Sequence, residues 1–211
     1  MITYPINSLR AVGVYRFTVV VNEYNHSIID NVLSKINGIE YKLVVNKDVE
    51  RENGYSLYLG AKHVEDALFY ISMSDHIYPP TIPLSIARSI HLGKTLTVAV
   101  DPSPLYINVE EATKLYIIGD IIVDVGKHIP IYNYIDTGVF IASKKIQGYL
   151  ELLVRTYRKI PLSRIVYKLS RRAEVSYIDI GIEPWIEIDT PQDILNLLRN
   201  KAVLLKTKDK D

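Results

Sequence analysis

Four groups of residues have the types and spacing to do chemistry. The first is Asp75, which ends an apolar, aromatic-rich run at 68–78, LFYISMSDHIY. Read physically, a buried strand there delivers a carboxylate to the end of a sheet, where open α/β proteins place their ligands. The second is Glu187 and Asp189 in WIEID. Two apart in an extended segment, their side chains share one face, and they repel unless something positive sits between or opposite. Magnesium suits such a place, because it takes oxygen ligands and uses one or two carboxylates plus substrate phosphates. Asp75 and Asp189 would supply that pair from different strand ends. The third is Asp136-Thr137-Gly138. Its glycine lets the backbone come close to a ligand, and Asp136 can accept bonds from sugar-type hydroxyls. The fourth comprises Lys114, a point charge for a substrate phosphate, and Asn53 and Ser56 at a helix start, a good place for an anion or a base edge.

Each has a plainer reading. Asp75 also suits a turn cap, Glu187 and Asp189 a surface acidic patch, and Asp189 part of a helix start. Asn53 and Ser56 also suit helix caps, and Lys114 a solvated charge on a strand edge. His76 beside Asp75 is a candidate base, but phosphate nucleophiles are already anionic near neutral pH. A packed or orienting histidine is the expectation. The other histidines lack metal-ligand spacing, and no serine or cysteine triad pattern is present. A single DTG in a chain without duplicated β-structure excludes an aspartic protease.

The elements that must position these residues alternate. A helical face of Ile2, Ile6, Leu9 and Val12 ends near Gly13, and the strand FTVVV follows at 17–21. Asn25 is placed to cap a helix with the stripe Ile28, Ile29, Val32, Leu33 and Ile36 before Gly38. The strand YKLVV follows at 41–45. This order predicts a largely parallel sheet. A helix over YSLYLGAKHV, the Asp75 strand, and a helix carrying Leu84, Ala87 and Ile90 come next. TLTVAV at 95–100 is a strand, and KLYIIGDIIVDV a hairpin turning at Gly119-Asp120. YIDTGVFIA returns to the sheet, and helices at 144–157 and 162–172 follow. EVSYIDI is a strand, and Thr190-Pro191-Gln192-Asp193 starts a helix with a capping box.

At 211 residues and 48% hydrophobic content, the chain suits one substantial domain. Net charge of +1 gives no electrostatic case for nucleic acid. The absence of cysteine excludes disulfides, thiolate metal sites and cysteine catalysis. No stretch has the length of a transmembrane helix or a signal pattern, so the expected location is cytoplasmic. The expected partition is a single domain over 1–205, with a substrate lobe at 102–133 and a frayed tail at 206–211.

With these segments in order, MITYPINSLRAVGV resembles the first helix of sugar-phosphate nucleotidyltransferases, the part that follows their signature loop. NKDVERENGYSLYLGAKHVEDALFYISMSDHIY, EEATKL, YIDTGVFIA, IPLSRIV and WIEIDTPQDI look, more narrowly, like the archaeal-type CTP:inositol-1-phosphate cytidylyltransferases. The resemblance implies an α/β, Rossmann-like fold of glycosyltransferase-A type, a mostly parallel mixed sheet with a small β-hairpin substrate lobe. It implies transfer of a cytidylyl group from CTP to inositol 1-phosphate with release of pyrophosphate, in phospholipid biosynthesis. By position, Asp75 and Asp189 would bind Mg2+ with Glu187 close by. Asn53 and Ser56 would lie near the base, and Lys114 and Asp136 would face the acceptor's phosphate and hydroxyls. The partners are then a nucleoside triphosphate and a phosphorylated polyol or sugar, with a homodimer left open. Another base or acceptor, or a non-catalytic subunit completing its fold with a partner, are the alternatives.

One part of the family pattern is not found in these 211 residues. It is a first strand, a glycine-rich loop and a lysine, whose N–H groups and charges cradle the triphosphate. That strand belongs between FTVVV and LFYISMS. The expectation is a slot of about 10 Å, two strand spacings, and little turnover from this stretch of chain. An upstream continuation, a partner strand, or closure of the flanking strands are the ways to fill the slot.

Overall fold

The computed structural model describes residues 1–88 and 93–199. Its central strand is β5 (Leu96–Asp101), buried at all six positions. A run of Leu, Val and Ala with no charge before its last residue belongs in the middle of a sheet covered on both faces. Its polar side chains are paired, as where Thr97 Oγ1 lies 2.8 Å from Ser176 Oγ. β5 is parallel to β9 (Val175–Asp179) and antiparallel to β8 (Tyr134–Ser143).

The other edge of β8 serves two neighbours. β3 (Leu68–Ser72) pairs antiparallel with residues 139–143, and β6 (Lys114–Ile118) pairs antiparallel with Tyr134 and Ile135. β7 (Ile121–Gly126) folds back on β6 through the expected turn, with Gly119 at a φ of +55°. The hairpin therefore continues the main sheet. Leu115, Ile117, Ile122 and Val125 join the same core as β5.

Alternation along β5 divides the core. Leu96, Val98 and Val100 face the layer of α3 (Asn53–Ala61), α5 (Ile146–Thr156) and α6 (Leu162–Ser170). Ala99 faces Ile82 and Ile86 of α4 (Thr81–Arg88). Ile90, expected in that last helix, and the tail at 206–211 lie outside the described residues.

β1 (Arg16–Val21) and β2 (Glu40–Val45) form a separate parallel pair, joined through α2 (His26–Leu33). Among the described residues β1 pairs only with β2, and β3 only with β8. The flanking strands have not closed the slot. FTVVV reads as a covered strand, yet only Val21 of β1 is buried, and Leu68 at the start of β3 is exposed. The two bodies meet at α3. Gly60 allows the approach, since a Cβ there would lie 3.0 Å from Val20 Cγ2. The expected stripe of α2 is only partly covered: Leu33 is buried and Ile28 is exposed, because the helix has just two strands beneath it. Asn25 does not cap α2; its own N–H is held by Asn22 Oδ1 at 2.8 Å.

The remaining elements line one rim of the sheet. In α1 (Thr3–Arg10), Ile6 and Leu9 are buried, and Ser8 Oγ donates to the carbonyl of Tyr78. This ties α1 beside β4 (His76–Ile77), which pairs antiparallel with β10 (Ile186–Glu187). α7 (Pro191–Arg199) starts with the predicted capping box. Asp193 Oδ2 accepts from the Thr190 N–H at 2.7 Å, and Thr190 Oγ1 accepts from the Asp193 N–H at 3.4 Å. The Thr190 hydroxyl, which donates to Asp193 Oδ2 at 2.8 Å, together with the Thr190 and Asp189 N–H groups holds the Asp193 carboxyl below its ordinary range.

Candidate active site

The site lies where β3 leaves β8. After Ser72 the chain turns, and the Met73 N–H bonds the Gly138 carbonyl at 3.1 Å. The Asp75 carbonyl then accepts the Ile188 N–H at 3.0 Å, and His76 pairs with Glu187 in the β4–β10 ladder. Two strand ends more than a hundred residues apart in sequence are thus joined by backbone bonds, with Asp189 next in line. Burial raises the Glu187 carboxyl, and the charges of Asp189 and Asp75 raise it further, while His76 and Lys127 oppose them. The acids act on one another across this rim.

Asp75 keeps 40% of its side chain exposed, and Asp75 Oδ1 lies 2.8 Å from His76 Nδ1. Burial pushes that carboxyl up, but the hydrogen bond and charge of His76 outweigh it and hold it below its ordinary range. His76 is itself packed. One side of its ring lies against Trp185, with centroids 5.5 Å apart and planes at 10°. On another side is Gly138, where an added Cβ would lie 2.7 Å from His76 Cδ2. The geometry is that of an orienting histidine.

Asp136-Thr137-Gly138 falls where the edge of β8 passes from β6 to β3. The neighbouring register with β5 shifts there as well, between Val98 and Val100. The freed backbone finds other partners: the Asp136 N–H reaches the Thr113 carbonyl at 2.9 Å, and Asp136 Oδ1 accepts the Gly138 N–H at 2.8 Å. Burial pushes the Asp136 carboxyl up to about 7, against the pull of the Gly138 N–H and His76. Gly138 has a φ of +72°, which suits glycine. Thr137 turns the other way. Its hydroxyl donates to the Ala99 carbonyl at 3.0 Å in the core, so it secures the strand.

Three expected site residues have hydrogen-bond partners within the protein. Lys114 is buried, and its Nζ donates to the carbonyls of Lys127 at 2.7 Å, Glu110 at 3.1 Å and Ala112 at 3.5 Å. An ammonium has three donors, so all are spent in fixing the hairpin. Asn53 does not cap its own helix; its Oδ1 accepts the Leu162 N–H at 2.7 Å, satisfying the start of α6. Ser56 Oγ accepts from Asn46 Nδ2 at 3.0 Å, and Asn46 in turn bonds the Asp48 N–H, closing the loop after β2.

Two functional candidates escaped the sequence reading. Lys127 follows Gly126 at the end of the hairpin, is exposed, and places its charge near Glu187. The only signal was a glycine-lysine pair at a strand end. Trp185 gave none, since a lone tryptophan reads as core.

The donor set fits a hard divalent cation. Carboxylate oxygens predominate, and Glu187 stands among like charges without a salt-bridge partner among the described residues. Among the described residues no three acidic or histidine side chains converge into a ready-made cage, so Asp75, Glu187 and Asp189 do not form a closed site. Two carboxylates completed by substrate phosphates is the arrangement magnesium ordinarily takes.

No family sequence profile matches the chain. It is 33% identical over 202 residues to the bifunctional IPC transferase and DIPP synthase of Aquifex aeolicus (strain VF5), covering 96% of this chain and 44% of that protein. With the same-named protein of Archaeoglobus fulgidus it shares 34% over 181 residues, covering 86% and 34%. The chain thus spans less than half the length of the curated relatives it matches. Among solved structures, the inositol-1-phosphate CTP transferase from T. maritima superposes with a TM-score of 0.86 at 31% identity, covering 99% of this chain and 83% of that one. This chain is a member of that nucleotidyltransferase family. A putative glucose-1-phosphate thymidylyltransferase from Bacillus anthracis, at 15% identity and a TM-score of 0.82, shares the family's α/β fold. No described helix is long and apolar enough to cross a membrane.

Proposed function

We propose that the protein transfers a cytidylyl group from CTP to inositol 1-phosphate and releases pyrophosphate, on the rim that carries Asp75 and Asp189. The observation that carries this reading is the bond from the Ile188 N–H to the Asp75 carbonyl, which draws the two acid-bearing strand ends together. The named activities of the relatives support the choice of nucleotide and acceptor.

In the reaction a phosphate oxygen of the acceptor attacks the α-phosphorus in line. One P–O bond forms as the bond to pyrophosphate breaks. Catalysis of this kind rests on positioning and charge neutralisation. Asp75 and Asp189 hold Mg2+, which when bound neutralises phosphate charge. His76 fixes the Asp75 carboxylate, Lys127 faces the acceptor phosphate, and Asp136 orients the inositol hydroxyls.

The test is 31P NMR of CTP and inositol 1-phosphate with the protein, using Mn2+ as a relaxing ion and Mg2+ for turnover. Protein-dependent broadening of both phosphates by Mn2+ is expected, stronger with CTP than with UTP, dTTP or GTP, and abolished in Asp75→Asn and Asp189→Asn. Broadening that survives both substitutions would refute the site. Equal response to all four nucleotides would refute the cytidylyl assignment.

A further inference from the structure

Behind Asp75 lies a chain of contacts that the proposed chemistry leaves unused. It begins at Asp101, the last residue of β5, which is buried with 3% exposure. Both its oxygens are engaged: Oδ1 accepts the Ser103 N–H at 2.7 Å, and Oδ2 accepts Trp185 Nε1 at 2.6 Å. Trp185 is 2% exposed and stacks nearly parallel on His76. The imidazole cannot shift toward Gly138, where an added Cβ would already overlap it. His76 Nδ1, finally, lies 2.8 Å from Asp75 Oδ1.

A buried carboxylate is a poor way to stabilise a core. Removing it from water is costly, and well-packed apolar groups of the same volume often do as well or better. Here the carboxylate meets only neutral N–H donors. What it supplies is direction, because an acceptor at that point fixes the rotation of the indole in its own plane. Apolar packing alone would leave that rotation free to adjust, and with it the imidazole and the Asp75 carboxylate. Groups that orient metal-binding side chains are known to matter in this way.

We propose that Asp101 is a positioning residue for the rim: through Trp185 and His76 it fixes the orientation of the Asp75 carboxylate toward a divalent cation. The inference rests on the reading of Asp75 as a metal carboxylate, and the experiment separates the two. Binding of Mn2+ alone is measured by electron paramagnetic resonance of the free ion, on protein shown to be folded by circular dichroism. Asp101→Ala removes the acceptor, Asp101→Asn keeps one, and Trp185→Phe keeps a ring without its N–H. Loss of an orienting partner costs about 10-fold or more in metal affinity. That loss is expected for Asp101→Ala and Trp185→Phe, with no further loss when the two are combined. Asp101→Asn should stay within about 3-fold of the original protein on the same basis.

A second measurement uses Trp185 as the sole tryptophan of the chain. Acrylamide should quench its emission more readily in Asp101→Ala than in Asp101→Asn. A merely structural role would lower stability and leave the affinity of the folded fraction alone. Folded Asp101→Ala that binds Mn2+ within 2-fold of the original, while Asp75→Asn has lost binding, would overturn the positioning role and leave the rim standing. Unchanged binding in Asp75→Asn would overturn both. If Asp101→Ala does not fold, Trp185→Phe decides the question in the same terms.

Discussion

Replacing Gly138 by alanine should damage both the fold and the rim, by an amount the geometry allows to be worked out. The backbone at Gly138 has a φ of +72°, a conformation that costs an L-residue about 1–2 kcal/mol. The new methyl would lie 2.7 Å from His76 Cδ2, 2.8 Å from His76 Nε2 and 2.9 Å from Met73 Cγ. All three are inside ordinary contact distance. Neither neighbour yields freely, since His76 is held by Trp185 on one side and Asp75 on another. Overpacking of this kind costs about 1–3 kcal/mol. The sum is about 2–5 kcal/mol, which at this chain length lowers Tm by roughly 4–20 °C. Thermal and urea unfolding followed by circular dichroism supply the number, and Trp185 emission reports whether the stack has broken. Gly148→Ala is the control. That glycine is inside α5 with open space around it, so alanine should be neutral or stabilise by up to about 1 kcal/mol. A Gly138→Ala protein that melts within about 2 °C of the original, with unchanged emission, would refute the account of His76 as a clamped ring.

Two further outcomes follow from the same geometry. The Asp136 carboxyl is raised in the fold to about 7 from an ordinary 3.8, so between those values the folded state keeps a proton that the unfolded chain has lost. Its contribution to stability is therefore full below about pH 4 and falls as pH rises toward 7; urea midpoints at pH 4.5 and 7.5 should fall less in Asp136→Asn, and identical pH dependence would contradict the burial. Lys114→Met keeps an apolar stem but strands the carbonyls of Lys127, Glu110 and Ala112. It should cost about 2 kcal/mol and speed amide exchange in β6 and β7 while Mn2+ affinity holds; a large fall in affinity with normal exchange would return Lys114 to the substrate.

The order of elements was legible because local periodicity determines it. FTVVV, TLTVAV and YIDTGVFIA became strands, and the Gly119-Asp120 turn formed its hairpin. The approach of Asp75 to the Asp189 segment was anticipated from residue chemistry and family likeness. Its cause, the pairing of β4 with β10, involves strands of two residues, too short for any pattern to announce. Lys114, Asn53 and Thr137 have internal partners that residue type did not announce, for one reason. Their polar atoms end on backbone groups brought near by tertiary folding, as when Asn53 reaches Leu162. Residue type says that a donor or acceptor exists; only the fold says where it is satisfied. Asp101 and Trp185 escaped for the converse reason, since each is unremarkable alone and their meaning lies in the contact between them.

The separation of β1 and β2 from the main sheet bears on how the protein comes apart. Their mutual ladder crosses to no other strand among the described residues, so peeling them away with α2 breaks side-chain packing at α3 and spares every hydrogen bond of the six-stranded sheet. Such a module opens at its own, lower free energy. Melting in two stages is then the expectation, and the Tm change predicted for Gly138→Ala belongs to the stage in which the six-stranded sheet unfolds.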